Sequence, residues 1–242
     1  MDLDIAINTF KEYVSNFDMN NEKIKRKYIH TFEVVKISET LAKKLNLNDE
    51  EVLLAKLIGL LHDLGRFEQV TKFDTFKDID MDHATFGVKL LFEQNMIRKF
   101  ISDEKYDEII YNAVKYHNKL SIPNNLDERT TLFCEIIRDA DKIDILRVRT
   151  EEYENLFYDE VSQYVLDEFN NNETINYRYV KNKSDSLMVV FAFFYDIYFK
   201  ESFEILKETK IFDNFINSIK VSENNKELFK NIKNKLYKYL EV

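Results

Sequence analysis

The scarcity of glycine and proline is the feature that most limits what this chain can fold into. Its 242 residues include only 3 Gly and 1 Pro, and β-rich folds need many tight turns, which these two residues favour. The shortage predicts long helices joined by short polar loops, so we expect an all-α protein. The length allows a sizeable core, and 45% hydrophobic with 33% charged residues is typical of a soluble globular protein.

Charge and targeting signals narrow the possible partners. The formal net charge of −9 argues against a broad nucleic-acid-binding surface but leaves room for a small basic pocket that holds a phosphate. A single cysteine, Cys134, cannot form an intramolecular disulfide and fits a reducing compartment. The N-terminus MDLDIAINTFKEY has no basic stretch followed by an apolar run, so we expect no signal peptide and a cytoplasmic protein.

The most apolar stretch runs from Leu187 to Phe199 and is interrupted by Asp196. It is shorter than the roughly 20 residues that a membrane-spanning helix needs. It therefore predicts a buried core helix and no membrane association, with an aromatic docking surface for a partner as the alternative.

Apolar residues repeat with the 3.6-residue period of helices along most of the chain. The predicted helices cover residues 21–45, 48–64, 82–95, 103–119, 126–149, 151–169, 186–208 and 224–240. Gly65 is predicted to end the second helix in the left-handed conformation, and residues 66–87 form the most irregular predicted loop. We expect residues 1–150 to form a helical core and residues 151–242 a helical extension packed on the same domain.

The four histidines each lie on a different predicted helix and on its core-facing side. His30 aligns with apolar residues 4, 7 and 11 positions later, and His62 with those 4 and 7 positions earlier. His83 and His117 also share faces with apolar residues, and Asp141 lies in the apolar stripe of the fifth helix. Each of these residues alone is more often a hydrogen-bonded core residue than a ligand, and an isolated His-Asp pair is a weak motif.

Taken together, these side chains indicate a metal site. Each buried polar group would need its own partner, because unsatisfied burial costs about 1–3 kcal/mol. One or two divalent cations satisfy them all, and histidine nitrogens with carboxylate oxygens suit Fe, Mn, Co, Ni or Zn. The predicted ligands are His30, His62, Asp63, His83, His117 and Asp141.

The order of these residues resembles the HD-domain superfamily of metal-dependent phosphohydrolases. The segments GLLHDLGR and IIRDADKIDILR are similar to its motifs at a helix end and on the fifth helix, over roughly residues 20–150. The two histidines between them resemble the subset with two ions. The resemblance implies an HD-domain-like helical bundle with additional C-terminal helices. It implies a first ion on His30, His62, Asp63 and Asp141, and a second on His83 and His117 with Asp63 as the bridge.

The same resemblance implies hydrolysis of a phosphate ester of a small molecule, with a nucleotide as first candidate, by a metal-activated hydroxide. Asp63 and Arg66 are the predicted catalytic residues. The predicted substrate contacts are Arg66, Lys115, Asn118, Lys142 and Arg147, each with an ordinary solvated charge or ion pair as its alternative. Arg66 is favoured as the phosphate contact because it lies three residues after Asp63.

Several alternatives stay open at the level of sequence. Some members of the superfamily with the same six ligands use a mixed-valence di-iron centre and dioxygen to cleave carbon bonds, so an oxygenase is the second hypothesis. A non-catalytic sensor with a structural metal is the third. Asp144 could orient a ligand histidine or pair with Arg147, and the loop with Glu68 and Gln69 could line the substrate pocket or merely connect two helices.

Overall fold

The computed structural model describes residues 1–241 and is almost entirely helical, which confirms the all-α prediction. The α-helices are α1 Leu3–Val14, α2 Glu22–Lys44, α3 Asp49–Leu61, α4 Leu64–Phe73, α5 His83–Val88, α6 Ile97–Phe100, α7 Asp107–Tyr116, α8 Glu128–Glu152, α9 Gln163–Asn170, α10 Lys183–Ala192, α11 Lys200–Glu208, α12 Ile211–Ser218 and α13 Lys226–Leu240. Single 3₁₀ turns lie at Glu104–Tyr106, Tyr177–Tyr179, Phe193–Asp196 and Glu223–Asn225, and a π-helical turn lies at Lys89–Glu93. Two short strands, β1 Leu156–Phe157 and β2 Lys220–Val221, pair in parallel.

The chain forms two compact units, which divide after Asp141, inside α8. The first unit contains α1 to α7 and the beginning of α8, and the second contains the rest of the chain. The predicted boundary at residue 150 and the predicted packing of the extension stay predictions.

The first unit is built on α2 and α3, which pack along each other. Asn21 caps α2, and Asn48 forms a capping box with Glu51 at the start of α3, so polar residues fix where both helices begin. Gly59 allows the close approach, because a Cβ there would lie 3.2 Å from the Cα of Val35. The two helices therefore bring their histidines together.

Helix α1 was absent from the predicted set. Its buried Phe10 packs edge-on against Phe67 of α4, with ring centroids 5.8 Å apart. The hydroxyl of Tyr13 donates a hydrogen bond of 3.1 Å to the carbonyl of Leu64. Helix α1 therefore supports the chain where α3 passes into α4.

The predicted role of Gly65 was wrong. None of the glycines has a positive φ, and Gly65 lies inside α4, which covers the first part of the predicted irregular loop. A Cβ on Gly65 would lie only 2.1 Å from the carbonyl oxygen of His83 and 2.9 Å from the backbone nitrogen of Gly87. The glycine is needed for close contact between α4 and α5, which sets the position of His83.

The predicted helices of the second unit were too long. Residues 151–169 contain the end of α8, strand β1 and part of α9, and residues 186–208 are interrupted by the 3₁₀ turn Phe193–Asp196. Phe191 and Phe194 are buried in this unit, and Phe191 packs against Phe157 and Phe215. The apolar stretch thus supplies core residues as predicted. No helix among residues 1–241 is long and apolar enough to cross a membrane.

Candidate metal centre

The six predicted ligands come together in the first unit and form two groups. His30, Asp141 and His62 make the His30 group, and Asp63, His83 and His117 make the His83 group. Within each group the potential ligand atoms all lie within 4.8 Å of one another. All are buried except Asp141, whose side chain is 15% exposed. The structure therefore brings together the six predicted side chains, and their binding of one or two ions stays a prediction.

Asp63 faces both groups with different oxygens. Its Oδ1 lies 3.1 Å from Nε2 of His83 and 3.6 Å from Nε2 of His117. Its Oδ2 lies 3.6 Å from Nε2 of His30 and 3.4 Å from Nε2 of His62. Asp63 occupies the N-cap position of α4, but its side chain makes no capping hydrogen bond. The carboxylate is therefore directed into the cluster, with one oxygen near each pair of histidines.

Three of the histidines have their protonated nitrogen fixed by an acceptor. Nδ1 of His62 lies 2.8 Å from the carbonyl oxygen of Gly59, and Nδ1 of His117 lies 2.7 Å from that of Val114. Nδ1 of His83 lies 2.8 Å from Oδ1 of Asp78. Carbonyl and carboxylate oxygens only accept, so Nδ1 carries the hydrogen in each ring, and the neutral ring then presents an unprotonated Nε2.

The Nε2 atoms of these histidines converge on one space, and their arrangement suits a cation. Nε2 of His83 and Nε2 of His117 lie 2.9 Å apart, so two lone pairs face each other unless a cation intervenes or one ring takes up a proton. Nε2 of His62 is buried and makes no well-aligned hydrogen bond within residues 1–241. Electron pairs and two carboxylates directed at one space form a donor set that suits divalent transition ions.

Local electrostatics keep two carboxylates and one imidazole of the cluster in the protonation state that binds metal. Burial raises the pKa of Asp63, but the charge of Lys27 and the nearby His62 and His117 outweigh it and hold that pKa well below its usual value. Burial also raises the pKa of Asp141, and the contact with His30 overcomes this and lowers it. Burial lowers the pKa of His117 to about 4, so this imidazole is neutral at pH 7.

Two cationic side chains border Asp63. Nζ of Lys27 lies 2.6 Å from Oδ2, and Nε of Arg66 lies 3.6 Å from Oδ1. Both side chains keep slight solvent exposure, 14% and 13% respectively. Arg66 was predicted, whereas Lys27 was missed. The available signal was its position three residues before His30, which places the two on one face of α2.

The remaining predicted substrate contacts have other partners. Nζ of Lys115 lies over the rings of Tyr111 and Tyr116. Lys142 pairs with Asp196 at 2.7 Å, within the second unit. Asn118 is close to the cluster, and its Nδ2 lies 3.2 Å from Oδ2 of Asp78 and 3.4 Å from Nδ1 of His83. The substrate roles of these residues stay predictions.

Two arginines of α8 also make structural contacts. Arg147 pairs with Asp144 through Nε at 2.6 Å and with Glu151, so the ion pair predicted as the alternative role of Asp144 is present. Arg138 is buried and donates hydrogen bonds to the carbonyls of Tyr116 at 2.8 Å and Lys119 at 2.5 Å. It fixes the chain around His117.

The contacts that Asp78 and Gln69 make with the site were not predicted, although Gln69 belongs to the segment predicted to be a pocket wall or a connector. The carboxylate of Asp78 accepts from His83, from NH1 of Arg66 at 2.9 Å and from Nε2 of Gln69 at 2.8 Å. Buried Gln69 also donates to the carbonyl of Met81 at 2.7 Å. Gln69 is thus not a solvated side chain, because it is buried and holds the loop between α4 and α5. Whether this region lines a substrate pocket stays a prediction.

Comparison with known proteins agrees with this geometry. The HD domain family model matches residues 28–146, the segment that carries all six predicted ligands. This segment is an HD domain, and the match supports the HD-domain superfamily of metal-dependent phosphohydrolases. No solved structure matches the chain significantly.

Proposed function

We propose that this protein is a metal-dependent phosphohydrolase that cleaves a phosphate ester of a small molecule, with nucleotides as the first class to test. The observation that supports this most directly is the position of Asp63. One of its oxygens faces each ligand group, and two cationic side chains lie beside it. The HD-domain match adds a superfamily of metal-dependent hydrolases.

Residues of the first unit would have two different roles in such a reaction, metal binding and phosphate binding. The His30 group and the His83 group would hold one ion each, with Asp63 between them. When bound, divalent ions would polarise a phosphoryl oxygen and lower the pKa of water. Lys27 and Arg66 would bind the phosphoryl oxygens and offset their negative charge, as cations do in phosphoryl-transfer sites.

Lys27 is the preferred phosphate contact. Its ammonium already lies against a carboxylate oxygen in the cluster and keeps 14% of the side chain exposed. The NH1 of Arg66, by contrast, also donates to the carbonyl of Phe76 at 2.7 Å and to Oε1 of Gln69 at 2.7 Å. Lys27 can exchange its partner for an arriving phosphate at a smaller structural cost.

The test begins with metal analysis of protein purified without added metal. Assays of phosphate monoesters, diesters and nucleotides then follow, in air and without oxygen. We expect bound transition metal and turnover that persists without oxygen. Lys27→Met should raise KM or lower kcat at least tenfold, while Lys36→Met, an exposed lysine of the same helix paired with Glu33, should not.

Three outcomes would contradict the proposal. Absence of turnover on the whole panel would remove the hydrolase assignment. Turnover only in the presence of dioxygen would favour the oxygenase. Equal kinetics of the two lysine variants would remove Lys27 from substrate binding.

A further inference from the structure

We propose that Asp78 is a positioning residue that fixes the metal-binding nitrogen of His83 and the orientation of Arg66 at the same time. The inference rests on the proposed metal-dependent function. It concerns a residue outside the two ligand groups, in the loop between α4 and α5. Because one carboxylate contacts both a metal ligand and a candidate phosphate contact, it would couple ion binding to substrate binding.

The position of His83 explains why a carboxylate is needed there. His62 and His117 follow directly after helices, and each donates from Nδ1 to the carbonyl oxygen three residues earlier. His83 is the first residue of α5, so no preceding helical turn supplies such a carbonyl. Oδ1 of Asp78 takes that place, 2.8 Å from Nδ1 and 3.3 Å from the backbone nitrogen of His83.

The contact has a direct consequence for the other ring nitrogen. With Nδ1–H held by Asp78, Nε2 of His83 is directed at Oδ1 of Asp63, 3.1 Å away. A carboxylate that binds the far nitrogen of a ligand histidine fixes the tautomer and makes the ligand more basic. Asp78 would thus prepare His83 to bind an ion.

The same carboxylate holds Arg66. NH1 of Arg66 lies 2.9 Å from Oδ1 of Asp78, and NH2 lies 3.5 Å from Oδ2. The buried amide of Gln69 lies 2.8 Å from Oδ1 and donates to the carbonyl of Met81, which keeps Asp78 in place. Nε of Arg66 is then buried near Oδ1 of Asp63. Loss of Asp78 would therefore remove a partner from both the imidazole of His83 and the guanidinium of Arg66.

The experiment compares three variants. Asp78→Ala removes the acceptor and the charge. Asp78→Asn keeps an acceptor for His83 but removes the charge that pairs with Arg66. Asp80→Asn is the matched control, because Asp80 is an exposed aspartate of the same loop. Circular dichroism establishes that each variant is folded.

The first readout is the histidine tautomer in metal-free protein, measured by ¹⁵N NMR. Only four histidines are present, so single His→Gln variants assign the signals. We expect the Nδ1–H form of His83 in the unmodified protein, in Asp78→Asn and in Asp80→Asn. In Asp78→Ala we expect a mixture of both tautomers.

The second readout is the affinity for Co²⁺ alone, and the third is KM for a phosphate ester. Asp78→Ala should weaken one step of the Co²⁺ titration by about 10- to 100-fold, the usual effect of losing such a partner, and leave the other step unchanged. Asp78→Asn should have a Co²⁺ affinity close to that of the unmodified protein, because the acceptor for His83 is kept. It should raise KM, because the charge that pairs with Arg66 is lost.

Two results would overturn the inference. One is an unchanged tautomer with unchanged Co²⁺ affinity in Asp78→Ala, and the other is an unmodified protein that binds no Co²⁺. An unmodified protein that binds Co²⁺ but hydrolyses no phosphate ester would contradict the proposed function alone, because the first two readouts do not use turnover.

Discussion

The His30 group and the His83 group have similar ligands but are held by different parts of the fold. His30 and Asp141 lie within the long helices α2 and α8, and His62 follows α3, which packs along α2. In the His83 group, Asp63 lies at the break between α3 and α4, His83 starts α5, and His117 follows α7. Two of the three residues in the first group lie within long helices, whereas all three in the second lie at helix ends, so we expect the second group to be easier to disrupt selectively.

The largest effect should come from Asp63→Ala, which removes the one ligand that faces both groups. We expect both ions to bind more weakly and kcat/KM to fall by more than about 10³-fold, because metal ions supply several kcal/mol of charge stabilisation. Metal content and phosphatase kinetics measure this. Asp49→Ala, an exposed position at the start of α3, is the control. Intact phosphatase activity with reduced metal would contradict a catalytic centre.

Gly65→Ala should weaken metal binding by the His83 group and leave metal binding by the His30 group intact. A Cβ at residue 65 would lie 2.1 Å from the carbonyl of His83, so α4 and α5 must move apart. We expect loss of one ion and destabilisation by about 1–3 kcal/mol, as is usual for overpacking, with the His30 group retained. Denaturant unfolding and Co²⁺ titration measure these effects.

Gly87→Ala provides the matched control for Gly65→Ala. The nearest atoms to a Cβ on Gly87 would be the backbone nitrogen of Gly65 at 3.5 Å and Cγ1 of Val114 at 3.7 Å. Both are ordinary van der Waals contacts. We expect nearly unchanged Co²⁺ binding. Equal effects of the two substitutions would show that contact between α4 and α5 does not position His83.

Arg138→Met should also act on the His83 group, through the chain around His117. The substitution leaves the carbonyls of Tyr116 and Lys119 without their buried donor, which should lower the free energy of unfolding by about 2–3 kcal/mol. Arg129→Met, on the same helix but 46% exposed and 3.6 Å from Glu51, should cost less than about 1 kcal/mol. Chemical denaturation compares the two variants, and equal losses would show that the hydrogen bonds of Arg138 to these carbonyls do not stabilise the chain around His117.

The smallest effect should come from Cys134→Ala, two turns before Asp141 on α8. Cys134 is buried and belongs to neither ligand group, and burial raises the pKa of its thiol to about 12. We expect about 1 kcal/mol of destabilisation, a typical value for single substitutions, and unchanged Co²⁺ binding. Iodoacetamide should modify the native thiol slowly, and rapid modification would show that α8 opens near the His30 group.

The sequence predicted which side chains come together better than it predicted the contacts that hold them in place. Helical periodicity placed His30 and Asp141 on core faces, and that property depends only on residues within one helix. Gly65 was misjudged because a glycine before a turn and a glycine under a neighbouring helix look alike in sequence. The second use depends on the carbonyl of His83, which lies 18 positions later.

The charged residues show the same limit. Lys142, predicted as a substrate contact, pairs in the structure with Asp196, which lies far along the chain and which the sequence did not indicate as its partner. Lys27 was overlooked because most lysines on amphipathic helices are solvated. Its contact with Asp63 joins α2 to the break between α3 and α4. Which charges meet is decided by packing between helices, and periodicity within one helix does not report it.

The two histidines that follow helices have a consequence for the electric field at the site. Helices α3 and α7 end at Leu61 and Tyr116, directly before His62 and His117. The carbonyl end of a helix carries about half a negative elementary charge. Two such ends therefore reinforce the charges of Asp63 and Asp141 on the side of His62 and His117, whereas Lys27 and Arg66 add positive charge beside Asp63. The site thus has a negative side, formed by helix ends and carboxylates, that suits a cation, and a positive side, formed by two side chains, that suits an anion.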